Sequence, residues 1–188
     1  MEFELKKVGL IDDAKIELSN LTIICGENNT GKTYVTYALY GFLRSWRQIL
    51  FVELEEKIAE ALKESPASQI DLQAQFFGQI NKHLDRIARR YAKGLPRIFA
   101  SSPELFKEAV IKISVSTEID FLERDYHQSI KDGTGNKTLA TVRKARGSSI
   151  LEVLMADQAL AQNRYGFVDF VSDAIADIVF AAYLPDVF

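Results

Sequence analysis

The chain has 188 residues, with 23 Lys plus Arg against 26 Asp plus Glu and a formal net charge of −3, which excludes a globally basic nucleic-acid-coating protein but not a local basic patch. Apolar residues make up 47%, with 12 Phe and 7 Tyr, enough for a sizeable core and too many for a disordered chain. One cysteine, Cys25, and two separated histidines, His83 and His127, exclude an intrachain disulfide, a CxxC metal site and a His-rich metal centre. No apolar run approaches the roughly eighteen residues of a membrane span. The acidic, strand-like start Met1-Glu2-Phe3-Glu4 is unlike a secretory signal, so a soluble, cytoplasmic protein is expected.

In chain order, residues 3–10 and 14–18 alternate apolar and polar side chains around Ile11-Asp12-Asp13, which predicts two half-buried strands and a turn. Ser19-Asn20 punctuates. The continuous apolar run Leu21-Thr22-Ile23-Ile24-Cys25 then predicts a strand buried on both faces, as in the parallel centre of an α/β sheet. Cys25 reads there as a small core residue. After Gly26–Thr33, Val35, Ala38, Leu39, Phe42, Leu43 and Trp46 fall at helical steps. The helical pattern persists to about residue 64 and stops at Ser65-Pro66, because a residue before proline avoids the helical region. A second helix is predicted over 70–92, with Gly94 as its C-terminal cap. Ser102-Pro103 marks a further helix start. Residues 109–119 alternate again, Asp132–Asn136 is a turn, and a strand follows near 138–143. Residues 150–160 and 167–183 have helix-compatible spacing.

The segment that carries chemistry is Gly26-Glu27-Asn28-Asn29-Thr30-Gly31-Lys32-Thr33, which fits the phosphate-binding P-loop pattern G-x-x-x-x-G-K-[ST]. A strand-like run before it and a helical run after it are the context that the pattern requires. Gly26 and Gly31 let the backbone curl, so that successive N–H groups from Glu27 to Thr30 converge on phosphate oxygens. The following helix points the positive end of its dipole at the same anion. Lys32 is assigned to the β- and γ-phosphates and the Thr33 hydroxyl to Mg²⁺. The expected cofactors are therefore ATP and Mg²⁺, with all eight residues in the cradle and Thr33 as the metal ligand.

These eight residues, preceded by two strands and the Leu-Thr-Ile-Ile-Cys run, resemble the ABC-type ATPase heads of structural-maintenance-of-chromosomes-like proteins. More narrowly, they are similar to the AAA-family ATPases of bacterial defence systems and the overcoming-lysogenisation-defect nucleases, whose loops often read G-x-N-N-x-G-K-[ST]. Asparagine suits such a loop because it tolerates left-handed backbone. The resemblance covers residues 1–44. It implies ATP and Mg²⁺ binding, head-to-head pairing as a homodimer or larger assembly, and hydrolysis that controls DNA binding or a nuclease in phage defence. The fold class that follows is α/β, a P-loop NTPase-like sheet of the ABC/SMC-head type, N-terminal lobe, with a mainly helical insertion. In a single domain, residues 1–45 carry the strands, P-loop and first helix, 46–105 the helical insertion and 106–188 mixed α/β structure.

The chain departs from that family where hydrolysis is concerned. No L-S-G-G-Q-like signature is present, Gly147-Ser148-Ser149 being the nearest. No apolar strand ends in Asp-Glu, and Asp120, Glu123 and Asp186 are the carboxylates beside strand-like segments. No catalytic residue is assigned, and slow hydrolysis by this chain alone is expected. The apolar stretch closing on Pro185-Asp186-Val187-Phe188 suggests an N-terminal fragment or a truncated homologue. Two other functions stay open: a small P-loop kinase with Arg86, Arg89, Arg90, Lys93 and Arg97 as a lid, and a non-hydrolysing nucleotide-binding regulator. That basic cluster, like Lys137, Arg143, Lys144 and Arg146, more simply forms a solvated face. Asn81-Lys82-His83-Leu84-Asp85 lies in a helical pattern and does not suit a guanine-reading loop. His83 and His127 read as structural.

Overall fold

The computed structural model describes residues 1–19, 21–61, 67–116, 121–156 and 164–184. In chain order the elements are β1 (Glu2–Val8), β2 (Ile11–Glu17), α1 (Lys32–Ala61), β3 (Ala67–Asp71), α2 (Leu72–Gln75), α3 (Ile80–Lys93), α4 (Leu95–Ile98), β4 (Val110–Ser114), β5 (Tyr126–Lys131), β6 (Thr138–Lys144), β7 (Ile150–Met155) and α5 (Arg164–Ile175). A π-helical segment, Ala176–Phe180, continues α5. The chain forms two compact units: Met1–Ile49 with Ile80–Thr117 and Tyr183–Phe188, and Leu50–Gln79 with Glu118–Ala182.

In the first unit three antiparallel strands lie in the order β2-β1-β4. The hairpin β1–β2 pairs Val8 with Ile11, leaving Gly9-Leu10 as a two-residue loop. Gly9 has φ +59°, the positive value that such a tight turn demands at its first position. Phe3 and Leu5 are buried at alternate positions of β1, as the period of two requires; Val8 is also buried, three positions on, past Lys7, whose φ of +52° breaks the alternation. Phe3 packs on Phe42 of α1 with ring centroids 5.7 Å apart, and Phe42 meets Tyr91 of α3 edge-on at 5.5 Å. Asn81 ties α3 to the end of β4: its amide donates to the Val115 carbonyl oxygen at 3.1 Å and accepts from the Val115 N–H at 2.9 Å.

The second unit holds an antiparallel sheet in the order β3-β7-β6-β5. Asp71 caps α2, accepting from the N–H groups of Gln73 and Ala74 at 3.0 and 3.1 Å. Phe77 stacks on Phe121 at 3.6 Å and Phe76 stands edge-on to Phe180 at 6.3 Å. Lys144 is 2% exposed. Its ammonium donates to the carbonyl oxygens of Arg124 at 2.5 Å, Ala145 at 3.3 Å and Leu122 at 3.4 Å, and it lies 5.5 Å from the centre of the Phe121 ring.

The protein is thus mixed α/β, but both sheets are antiparallel. The parallel central strand expected over 21–25 is not formed. Leu21 and Ile23 are each 75% exposed, and Cys25 is exposed rather than in the core. An apolar run becomes a doubly buried strand only where strands flank it, and the first sheet ends at β2. Residues 150–155, read as helix-compatible, form β7, because Leu151 and Val153 alternate into the core between β3 and β6. The helix predicted over 70–92 begins at Ile80, after β3, α2 and a short 3₁₀ turn. Gly94 does not end α3 in the left-handed region; at φ −86° it turns the chain into α4. Beyond these exceptions, segment 46–105 is mainly helical among its described residues. Among the described residues no helix is long and apolar enough to cross a membrane.

Candidate phosphate-binding site

The site is built where the hairpin hands the chain to α1. After β2, the Ser19 hydroxyl donates to the Leu21 carbonyl oxygen at 2.9 Å, and the Ser19 N–H donates to the Thr22 hydroxyl at 3.3 Å. Residues 23–30 are exposed and run without regular structure into a turn. Asn29 takes φ +63°, a left-handed conformation that asparagine accepts at low cost. The Thr30 hydroxyl donates back to the Glu27 carbonyl oxygen at 2.8 Å. Gly31 has φ +83°, and a β-carbon there would lie 2.3 Å from Ile11 Cδ1; the crossing over β2 therefore needs glycine twice over.

Helix α1 starts at Lys32, and its first backbone bond runs from the Val35 N–H to the Gly31 carbonyl oxygen at 3.1 Å. The N–H groups ahead of Val35 have no partner within a helix, and its first turn carries no acidic side chain. The positive end of this 30-residue helix is left for an external anion. The Lys32 ammonium donates to the carbonyl oxygen of Gly26 at 2.8 Å and to that of Glu27, which draws the loop into a ring around the cation. Thr33, next in the first turn, is exposed. An ammonium, an exposed hydroxyl and helix-terminal amides make a donor set suited to a magnesium-bound polyphosphate.

Gly26, Glu27, Asn28, Asn29, Thr30, Gly31, Lys32 and Thr33 form one loop and helix start, exposed from Gly26 to Thr30 and at Thr33, half-buried at Lys32 and buried at Gly31. Asp120 and Asp186 lie outside the described residues, and Glu123 is engaged by the Arg146 guanidinium, whose Nε donates at 2.8 Å. Among the described residues no three His, Cys, Asp or Glu side chains converge as a metal site. Arg86, Arg89, Arg90, Lys93 and Arg97 are all exposed, and so are Lys137, Arg143 and Arg146, whereas Lys144 is buried. His83 is buried in α3, while His127 is exposed on β5. Sequence reasoning missed Ile11, whose side chain lies under Gly31: the turn expected at Ile11-Asp12-Asp13 is formed by Gly9-Leu10 instead, and β2 already begins at Ile11.

Residues 2–157 match the AAA ATPase domain family. The chain belongs to that family. An AAA ATPase domain is a nucleotide-binding ATPase module, and ATP is the ligand that the family implies. The chain is also similar to the HTH-type transcriptional regulator PgrR of Escherichia coli (strain K12), at 29% identity over 187 residues covering 93% of this chain and 56% of the regulator. It thus spans little more than half the length of that curated relative. No solved structure matches the chain.

Proposed function

We propose that this AAA ATPase domain is the ATP-binding module of an ABC/SMC-like ATPase, the N-terminal part of a protein that uses nucleotide to control DNA binding or a nuclease. The observation that carries the reading is Lys32: an ammonium at the start of a 30-residue helix, set inside a loop of the P-loop pattern. In this reading Lys32 and the amides of Glu27 to Thr33 hold the phosphates, and Thr33 holds Mg²⁺. With the metal held there, Thr33 would bring to the phosphates a counter-charge that neutralises them. The control of DNA or a nuclease, and head-to-head pairing as a homodimer, rest on the resemblance of residues 1–44.

Calorimetry with MgATP tests the reading. The unaltered chain is expected to bind, and Lys32→Ala to bind at least about tenfold more weakly, the loss of one to two charge-assisted hydrogen bonds. Thr33→Ala is expected to weaken binding only when magnesium is present. Equal MgATP affinity in Lys32→Ala and the parent chain would remove the phosphate-cradle assignment.

A further inference from the structure

Within the first unit, α3, β4 and the short 3₁₀ turn Pro103–Phe106 line a half-open cavity of about 690 Å³ to which none of residues 26–33 contributes. Sites for small organic ligands run from roughly 300 to 1,000 Å³, so this one is of nucleotide size. Its charge is one-sided. Arg89 and Lys93 come from α3, Lys107 follows the turn and Lys112 comes from β4, against Asp85 as the one carboxylate among the lining residues.

The four cations are not equivalent. Arg89 is held by Asp85 at 2.8 Å, and Lys107 lies 3.8 Å from Glu104. Lys93 and Lys112 make no ion pair among the described residues. Glu4 sits opposite Lys112 across the β1–β4 ladder without closing one. The rest of the lining is mainly apolar: Pro103 and Val110 are exposed and Ala92 and Ala109 half-buried, over a Phe106 that is 5% exposed and stacked on Phe99 at 5.2 Å. Two uncommitted ammoniums supply point charges for a phosphate, while the exposed apolar lining suits an apolar body. Inorganic phosphate would leave that lining unused.

We propose that this cavity binds a small organic phosphate of nucleotide size, its phosphate between Lys93 and Lys112 and its apolar body against Pro103 and Val110. The site is separate from the P-loop, and the proposal does not rest on ATP binding there. The test uses the full chain carrying Lys32→Ala, titrated at low salt with adenosine monophosphate and with adenosine. Adenosine monophosphate is expected to bind at least tenfold more tightly than adenosine. Lys93→Gln with Lys112→Gln is expected to erase that preference, and Lys93→Gln alone to reduce it severalfold. Glutamine is used because a glutamate at 112 would face Glu4 and strain the ladder. In a chain that retains Lys32, the double change is expected to leave MgATP affinity unaltered. The proposal is overturned if the two ligands bind alike or if the preference survives the double change. It is equally overturned if a 5′-phosphorylated oligothymidylate outbinds adenosine monophosphate through the same lysines, which would make the feature a strand-binding groove.

Discussion

The Tyr91 hydroxyl on α3 donates to the Ala38 carbonyl oxygen on α1 at 2.7 Å, across 53 positions of chain. Burial pushes this phenol well above the usual tyrosine range, opposed only in part by a backbone hydrogen bond from Phe42. A raised acid contributes stability that is complete below the unfolded value, near 10, and is lost as pH climbs above it, because only the unfolded chain then releases the proton. Tyr91→Phe is expected to cost about 1 kcal/mol at neutral pH. In urea unfolding, the difference between parent and variant should shrink above about pH 10; a difference that grows with pH would contradict the assignment.

Gly31 and Ile11 are coupled by contact, with a projected separation of 2.3 Å from a β-carbon at 31 to Ile11 Cδ1. Gly31→Ala is expected to destabilise the chain by roughly 1–3 kcal/mol through overpacking and a strained positive φ. Shortening the neighbour with Ile11→Ala should relieve the steric part and leave the backbone part. A double-mutant cycle measures this as a favourable coupling energy; strict additivity would show that the two side chains do not meet.

Lys144 is a buried cation whose ammonium donates to three backbone carbonyl oxygens. Lys144→Met keeps much of the apolar stem but leaves those carbonyls with lost partners, so a cost of roughly 3 kcal/mol is expected. Chemical denaturation reads it directly. A loss below half that figure would mean that water replaces the ammonium without difficulty.

The turn after β5 is organised by one carboxylate. Asp132 accepts from the N–H groups of Lys137 and Asn136 at 3.2 and 3.0 Å and from the Thr134 hydroxyl at 2.9 Å. These bonds, that from Lys137 first, hold its pKa below the usual carboxylate value of 3.8. The stabilisation is therefore present above that value and is lost as pH falls through the lowered one. In an NMR titration the Asn136 and Lys137 amides should move together, at a pH below that of an ordinary aspartate. Asp132→Asn should abolish the transition.

Turnover is expected to be slow. Hydrolysis needs a group that positions the attacking water as well as a phosphate cradle, and Glu123 is committed to Arg146. A steady-state assay with Mg²⁺ should give a rate far below the roughly ten per second of a typical enzyme. Fast turnover that disappears in Lys32→Ala would show that a carboxylate has been overlooked.

What could be read in advance depended on whether a local pattern had one structural solution. Phe3 and Leu5 alternate with charged residues in a segment too short for a helix, and they are buried as expected, whereas Val8 is buried out of phase with them, past the positive φ of Lys7. The segment of P-loop pattern is contiguous, so the start of α1 at Lys32 needed no tertiary information. Ile150-Leu151-Glu152-Val153-Leu154 satisfies both helical and strand periods, and only pairing with β3 and β6 selects the strand. Strand β3 buries just Ile70 fully, too little to leave a pattern. Leu21–Cys25 failed in the opposite direction: its apolarity promised burial that depends on neighbouring strands. Within the site, the Lys32 contacts with Gly26 and Glu27 and the packing of Ile11 are facts of geometry that composition does not encode.

If Lys32 takes the phosphate as proposed, the ring that it closes on Gly26 and Glu27 makes nucleotide binding an exchange reaction. A phosphate must displace two backbone carbonyls from the ammonium, so apparent affinity falls with the fraction of molecules in which the lysine is tethered. Were that state favoured ten to one, the apparent dissociation constant would be about tenfold weaker than the intrinsic one. The same contacts keep the loop curled, which lowers the ordering entropy that a slack loop would lose on binding. On departure of the phosphate the ammonium returns to the two carbonyls, so the untethered cation is never left without acceptors while nucleotide dissociates.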